Sequence, residues 1–153
     1  MRNPTVPVDI HLEASPKGGA VLTVKLTNTS AAVVVLNVRN AVDETPVIGQ
    51  LPTSPRAGQL NELAFVITGT DGKALPFMVD IKRRPLVAED FQRFEAGQSH
   101  EEDIDLARYF GFEAGQRYRV RAVYMNDDDG SRFGVKAWRG LVVSNTLEGV
   151  LAR

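Results

Sequence analysis

Hydrophobic residues in this chain recur at every second position, in short runs separated by turn residues. A period of two builds strands with one buried face and one wet face, whereas helices need a period near 3.6. In VDIHLEA, Val8, Ile10 and Leu12 fall on one side and Asp9, His11 and Glu13 on the other. Lys17-Gly18-Gly19 supplies a turn, and VLTVKLTN repeats the alternation with Leu22, Val24 and Leu26, which predicts a hairpin. AAVVVLNV, residues 31–38, is apolar on both faces and is expected to be a central strand.

From Asn40 to Asn61 the chain carries Pro46, Pro52, Pro55, Gly49 and Gly58, too many breakers for a regular element, and a long loop is expected. ELAFVIT and LPFMVDI flank Gly69-Thr70-Asp71-Gly72-Lys73, where Asp-Gly predicts a tight hairpin. GQRYRVRAVYM places Tyr118, Val120, Ala122 and Tyr124 inward and Arg117, Arg119 and Arg121 outward. VKAWRGLVVSNTLEGVLA closes the pattern with one or two strands. AEDFQRF and DLARYFGF are the helical candidates, each about two turns and dependent on tertiary support.

Many short strands with no strand-helix-strand rhythm predict an all-β fold. The expected form is an immunoglobulin-like antiparallel β-sandwich of eight or nine strands with one or two short helical turns. Tyr118, just after Gly115 at the start of a late strand, resembles a tyrosine corner. The 153 residues are expected to form one domain, long enough to bury roughly 70% of the unfolded surface.

Composition narrows the function. With 18 basic and 19 acidic side chains and a net charge of -1, the chain lacks the overall field that draws proteins to nucleic acid. Without cysteine there is no thiolate nucleophile, disulfide or sulfur-ligated zinc. No window approaches the ~20 apolar residues of a membrane span, and MRNPTVPVDIHLEA lacks the apolar run of a signal peptide. Neither a nucleic-acid partner nor membrane insertion is therefore expected.

The densest chemistry lies in residues 81–106, IKRRPLVAEDFQRFEAGQSHEEDIDL. Lys82, Arg83, Arg84, Glu89, Asp90 and Phe91 are the candidate protein-binding residues, since arginine pairs bidentately with carboxylates. The structural alternative has the bases pairing with Glu89 or Asp90 across a turn stiffened by Pro85, with Phe91 and Phe94 capping the core from one side of a helical turn. His100 and Glu102 can share a strand face, but two ligands do not make a zinc site. Asn126-Asp127-Asp128-Asp129-Gly130 carries spaced carboxylates that suit calcium, yet Lys136 stands where the bidentate acid belongs, so an acidic turn is expected. The Arg117, Arg119 and Arg121 stripe either binds an acidic partner or is neutralised from a neighbouring strand, for example by Glu102 and Asp105, and neutralisation is the favoured reading. No catalytic residues, metal ligands or cofactor are assigned.

Several segments in order, VLTVKLTNTSAAVVVLN, FVITGTDGKALPF, KRRPLVAEDFQRFEAGQS and DLARYFGFEAGQRYRVRA, resemble one family. They are similar to the β-sandwich that precedes the catalytic domain in deuterolysin-type (aspzincin) peptidyl-lysine metalloendopeptidases. The resemblance spans Val21 to Ala122 and is most specific at Lys82, Arg83, Pro85, Glu89, Asp90 and Phe91. It departs at Ala96-Gly97-Gln98-Ser99 and Arg39-Asn40-Ala41-Val42, where the family has a "PG.S" turn and an "NTPL" segment.

Nothing in the chain matches the catalytic domain. His100-Glu101-Glu102-Asp103-Ile104 ends in isoleucine where a second zinc-binding histidine would stand. The resemblance implies a non-catalytic binding module, a metalloprotease as partner, inhibition or assisted folding as its role, and an extracellular or periplasmic location. The alternative is a structural or adhesive cell-envelope module, stacking glycan on Trp138 and Tyr124. Oligomeric state is open, and VVVLNV or LVVSNTL would invite pairing if exposed at an edge.

Overall fold

The computed structural model describes residues 8–55, 61–80 and 84–151. Among the described residues, nine strands run in chain order: β1 (Ile10–Gly18), β2 (Val21–Asn28), β3 (Val34–Asn37), β4 (Val42–Asp43), β5 (Leu63–Gly69), β6 (Phe91–Phe94), β7 (Ser99–Asp105), β8 (Arg117–Asn126) and β9 (Gly140–Leu151). They assemble as β1-β2-β7, β3-β6 and β4-β5-β8-β9. Every pairing is antiparallel except the two-residue contact of β4 with β5. The result is the expected all-β sandwich. Among the described residues, no helix is long and apolar enough to cross a membrane.

Alternation sets the layers. Ile10, Leu12 and Ala14 of β1 and Leu22, Val24 and Leu26 of β2 point into a single core, where they meet Phe65 and Ile67 of β5 and Tyr118, Val120, Ala122 and Tyr124 of β8. The tyrosine corner is present. The Glu113 amide donates to the Tyr118 hydroxyl at 2.8 Å, and the ring meets Phe112 edge-on at 4.9 Å. The later half of β8 is buried on both faces because Leu51, from the proline-rich loop, packs with Leu141 and Val143 over Ala64, Val123 and Met125.

A side chain couples the two larger sheets. β9 has an extra residue between its partners for Arg121 and Val123, and at this bulge Ser144 Oγ accepts the Ala122 amide at 2.9 Å. The next side chain, Asn145, accepts the Ala14 amide at 2.8 Å and donates to the Ala14 carbonyl at 3.0 Å. Asn145 thus stands in for a missing ladder partner of β1.

Four local expectations need correction. Residues 31–38 give only the short β3, which pairs with β6 and touches Ala137 through an isolated bridge, so it is not a central strand. Its two apolar faces arise because Val34 and Leu36 fill the core while Val33 is exposed. AEDFQRF forms one 3-10 turn, Ala88–Asp90, and then β6. Phe91 and Phe94 therefore lie on opposite faces of a strand, each with its own apolar cover. DLARYFGF holds one 3-10 turn at Leu106–Arg108, and a third such turn spans Ser131–Phe133. After the Asp71-Gly72 turn the second hairpin arm makes only the Thr68-Ala74 bridge before the chain crosses to Phe110.

Candidate functional site

Of the candidate binding residues, Lys82 and Arg83 lie outside the described residues. Arg84 and Asp90 pair across the Pro85 turn, Nη1 to Oδ2 at 2.7 Å and Nη2 to Oδ1 at 2.5 Å. Asp90 also accepts the Val87 amide at 2.9 Å and is only 6% exposed. The guanidinium beside it holds its carboxyl below the usual range, against the opposing effect of burial. Its carbonyl accepts the Val38 amide, which docks the segment on the sandwich.

Phe91 is buried against Phe133, with ring centroids 5.7 Å apart. Asp90 and Phe91, expected on a docking surface, thus face inward, and Glu89 stays exposed.

The centre of this end of the molecule was not legible in the sequence. Arg39 and Glu62 form a bidentate ion pair, Nε to Oε1 at 2.6 Å and Nη2 to Oε2 at 2.9 Å, with Glu62 only 3% exposed. Arg39 also donates to Asn61 Oδ1 and to the Arg84 carbonyl, each at 2.8 Å. One guanidinium therefore ties β3's exit, β5's entry and the Arg84 segment together. A buried pair like this contributes little net stability over an apolar filling, but it fixes geometry because neither partner tolerates losing the other.

Above the pair opens a polar cleft of about 550 Å³, floored by Asn37, Glu62 and Asn126. Its acidic turn is internally satisfied. Asp127 bonds Arg139 at 2.7 Å, Asp128 bonds Arg132 at 3.1 Å, and the Ser131 amide donates to Asp129, which holds that carboxyl below its usual range. The acids turn to arginines and backbone rather than to a common centre. Among the described residues, no group of three or more histidine, aspartate or glutamate side chains is placed to hold a metal ion.

Tyr124 is fully buried, stacked on Trp138 at 6.0 Å, and donates its hydroxyl to the Asn37 carbonyl at 2.7 Å. It has no face to offer a sugar, which corrects its assignment as a glycan-stacking residue. His100 and Glu102 point inward from β7, and Glu102 Oε2 is buried without a hydrogen-bond partner.

The arginine stripe is exposed as expected, but its proposed neutralisers are misplaced. Glu102 and Asp105 belong to β7, in the opposite sheet from β8. The acid that reaches the stripe is Glu148 of β9, 2.9 Å from Arg119.

A different surface lies where the proline-rich loop meets residues 74–78. A Cβ on Gly49 would stand 2.9 Å from Ala74 Cβ, so the two segments pack closely. Ile48, Leu75, Phe77 and Phe110 line a small crevice between them. On these two segments Val47, Ile48 and Met78 are 52%, 61% and 67% exposed. No protein-family model and no curated protein matches this chain.

Proposed function

We propose that the chain is a non-catalytic protein-binding module. The deuterolysin-type resemblance makes a secreted zinc endopeptidase the partner of choice, with inhibition or assisted folding as the role. The observation that carries the binding reading is the exposure of Val47, Ile48 and Met78 on two loops packed against each other. Exposed apolar side chains on two adjoining loops are the kind of surface that interaction sites use. The non-catalytic part is supported by His11 facing outward and His100 inward on the same sheet, which keeps the two histidines from acting together on one substrate.

Titration of a lysine-directed zinc endopeptidase with the purified protein tests this, read by residual activity and by co-elution in gel filtration. Wild type is expected to inhibit or co-elute, and an Ile48→Asp/Met78→Asp variant to bind at least about tenfold more weakly. Neither inhibition nor co-elution by wild type removes the protease partner. Equal binding by the variant removes the loop surface.

A further inference from the structure

We infer that the outer face of β8 docks an acidic, extended segment of a partner protein, one that carries carboxylates at alternate residues. This rests on the protein-binding reading above and adds the chemistry of the partner.

The strand's alternation sends Tyr118, Val120 and Ala122 into the core and leaves Arg117, Arg119 and Arg121 exposed in line on the outer face. Alternate residues of a strand recur every ~6.7 Å, so the three bases form a ridge about 13 Å long. Among their described cross-strand neighbours on β5 and β9, only Glu148, beside Arg119, is acidic. Arg121 stands between Val66 and Thr146, and Arg119 is opposite Thr68. Glu148 meets Arg119, but both side chains are well exposed, at 68% and 64%, and such a pair exchanges readily for another carboxylate.

The opposite outer face is built otherwise. On β1-β2-β7, Glu13, Lys25 and Glu101 lie in one cross-strand row, and Lys17 bridges Asp103. That face sets its two lysines among Glu13, Glu101 and Asp103, so each base has an acid beside it. Among the described residues, the three outward arginines of β8 meet a single glutamate on the adjoining β5 and β9, an excess that a chain-wide charge of -1 conceals.

Geometry also selects the kind of partner. β8 is flanked by β5 and β9, so a partner cannot add to it as a strand and has to lie across the face, held by side chains. An extended segment presents alternate residues at the same ~6.7 Å spacing, which brings successive carboxylates over successive guanidiniums. Arg121 is already oriented, because its Nε donates to the Ser144 carbonyl at 3.0 Å and leaves the Nη edge for a carboxylate. Less side-chain freedom is then lost on binding.

The test is an NMR titration of isotope-labelled protein at low salt with a synthetic peptide of alternating Glu and Thr, beside an isomer with its Glu residues in one block and a heparin oligosaccharide. Wild type, Arg117→Gln/Arg119→Gln and Ile48→Asp/Met78→Asp are compared. Arg121 is left intact because it braces the Ser144 bulge. The alternating peptide is expected to shift amides of residues 117–121 and 146–148, to bind more tightly than the block isomer, and to weaken at least fivefold in the arginine variant but not in the loop variant. Absence of binding to wild type, equal binding by the arginine variant, or tighter binding of heparin than of the alternating peptide would overturn the inference. Ridge binding without any protease binding would remove the protease reading alone, and loop-dependent protease binding without peptide binding would remove the ridge alone.

Discussion

Asp90 joins a sequence expectation to a measurable energy. A run of bases, a proline and an acidic pair suggested a pairing across the turn, and Arg84 with Asp90 realises it. Because the folded carboxyl titrates below its unfolded value, the pair stabilises the protein above about pH 4 and loses that contribution as pH falls through the folded value. Asp90→Asn is expected to cost about 1 to 2 kcal/mol at pH 7, the range for a charged hydrogen bond discounted for Arg84's exposure. In urea melts from pH 7 to pH 3 the deficit should shrink toward the acid end. A deficit constant across that range would mean that the carboxylate's charge is not what stabilises the segment. Arg39 and Glu62 gave no such warning in the sequence, because they meet only after the proline-rich loop brings residues 23 apart together. Alternation marked which side chains face inward, but a buried ion pair carries no periodic signature.

Among the elements, strands and their faces were legible and their neighbours were not. The period of two in β1, β2, β5 and β8 reads directly as buried and exposed sides. Nothing local to β7 says that it adds to β2 rather than to β8, and so Glu102 and Asp105, the acids expected beside the arginine stripe, lie in the other sheet while Glu148 of β9 takes that place at Arg119. The edges were equally silent. LVVSNTL would invite pairing if exposed, and in the fold Asn145 within it closes β9 against the edge strand β1 by occupying both polar groups of Ala14. Two residues on, Pro16 has no amide to offer an incoming strand. Asn145→Ala is expected to cost about 1 to 3 kcal/mol for the two bonds lost. It should also raise hydrogen exchange at the Ala14 amide and promote concentration-dependent association in sedimentation. Unchanged protection at Ala14 would show that packing alone holds β1 to β9.

At the scale of the molecule, the layers matter more than the count of sheets. Hydrogen bonding divides the strands into three sheets, yet β1 through β8 all contribute buried side chains to one continuous cluster. Val142 and Leu147 of β9 pack against the same cluster. The small β3-β6 sheet sends in Val34, Leu36 and Phe94 and so cannot leave without opening the cavity that those side chains fill. Trp138, the single tryptophan, stacks on Tyr124 at the end of that core, where the Arg39–Glu62 network and the polar cleft also sit. Its fluorescence therefore reports the site end, whereas far-UV circular dichroism reports all strands together. One shared core predicts a single cooperative transition, with the two signals coincident in urea at every concentration. Fluorescence changing before circular dichroism would mean that the cleft and its supporting ion pair form a separately unfolding unit. Coincidence of the two curves would mean that the Asp90 and Asn145 substitutions, though at different places in the sandwich, each lower the stability of the whole.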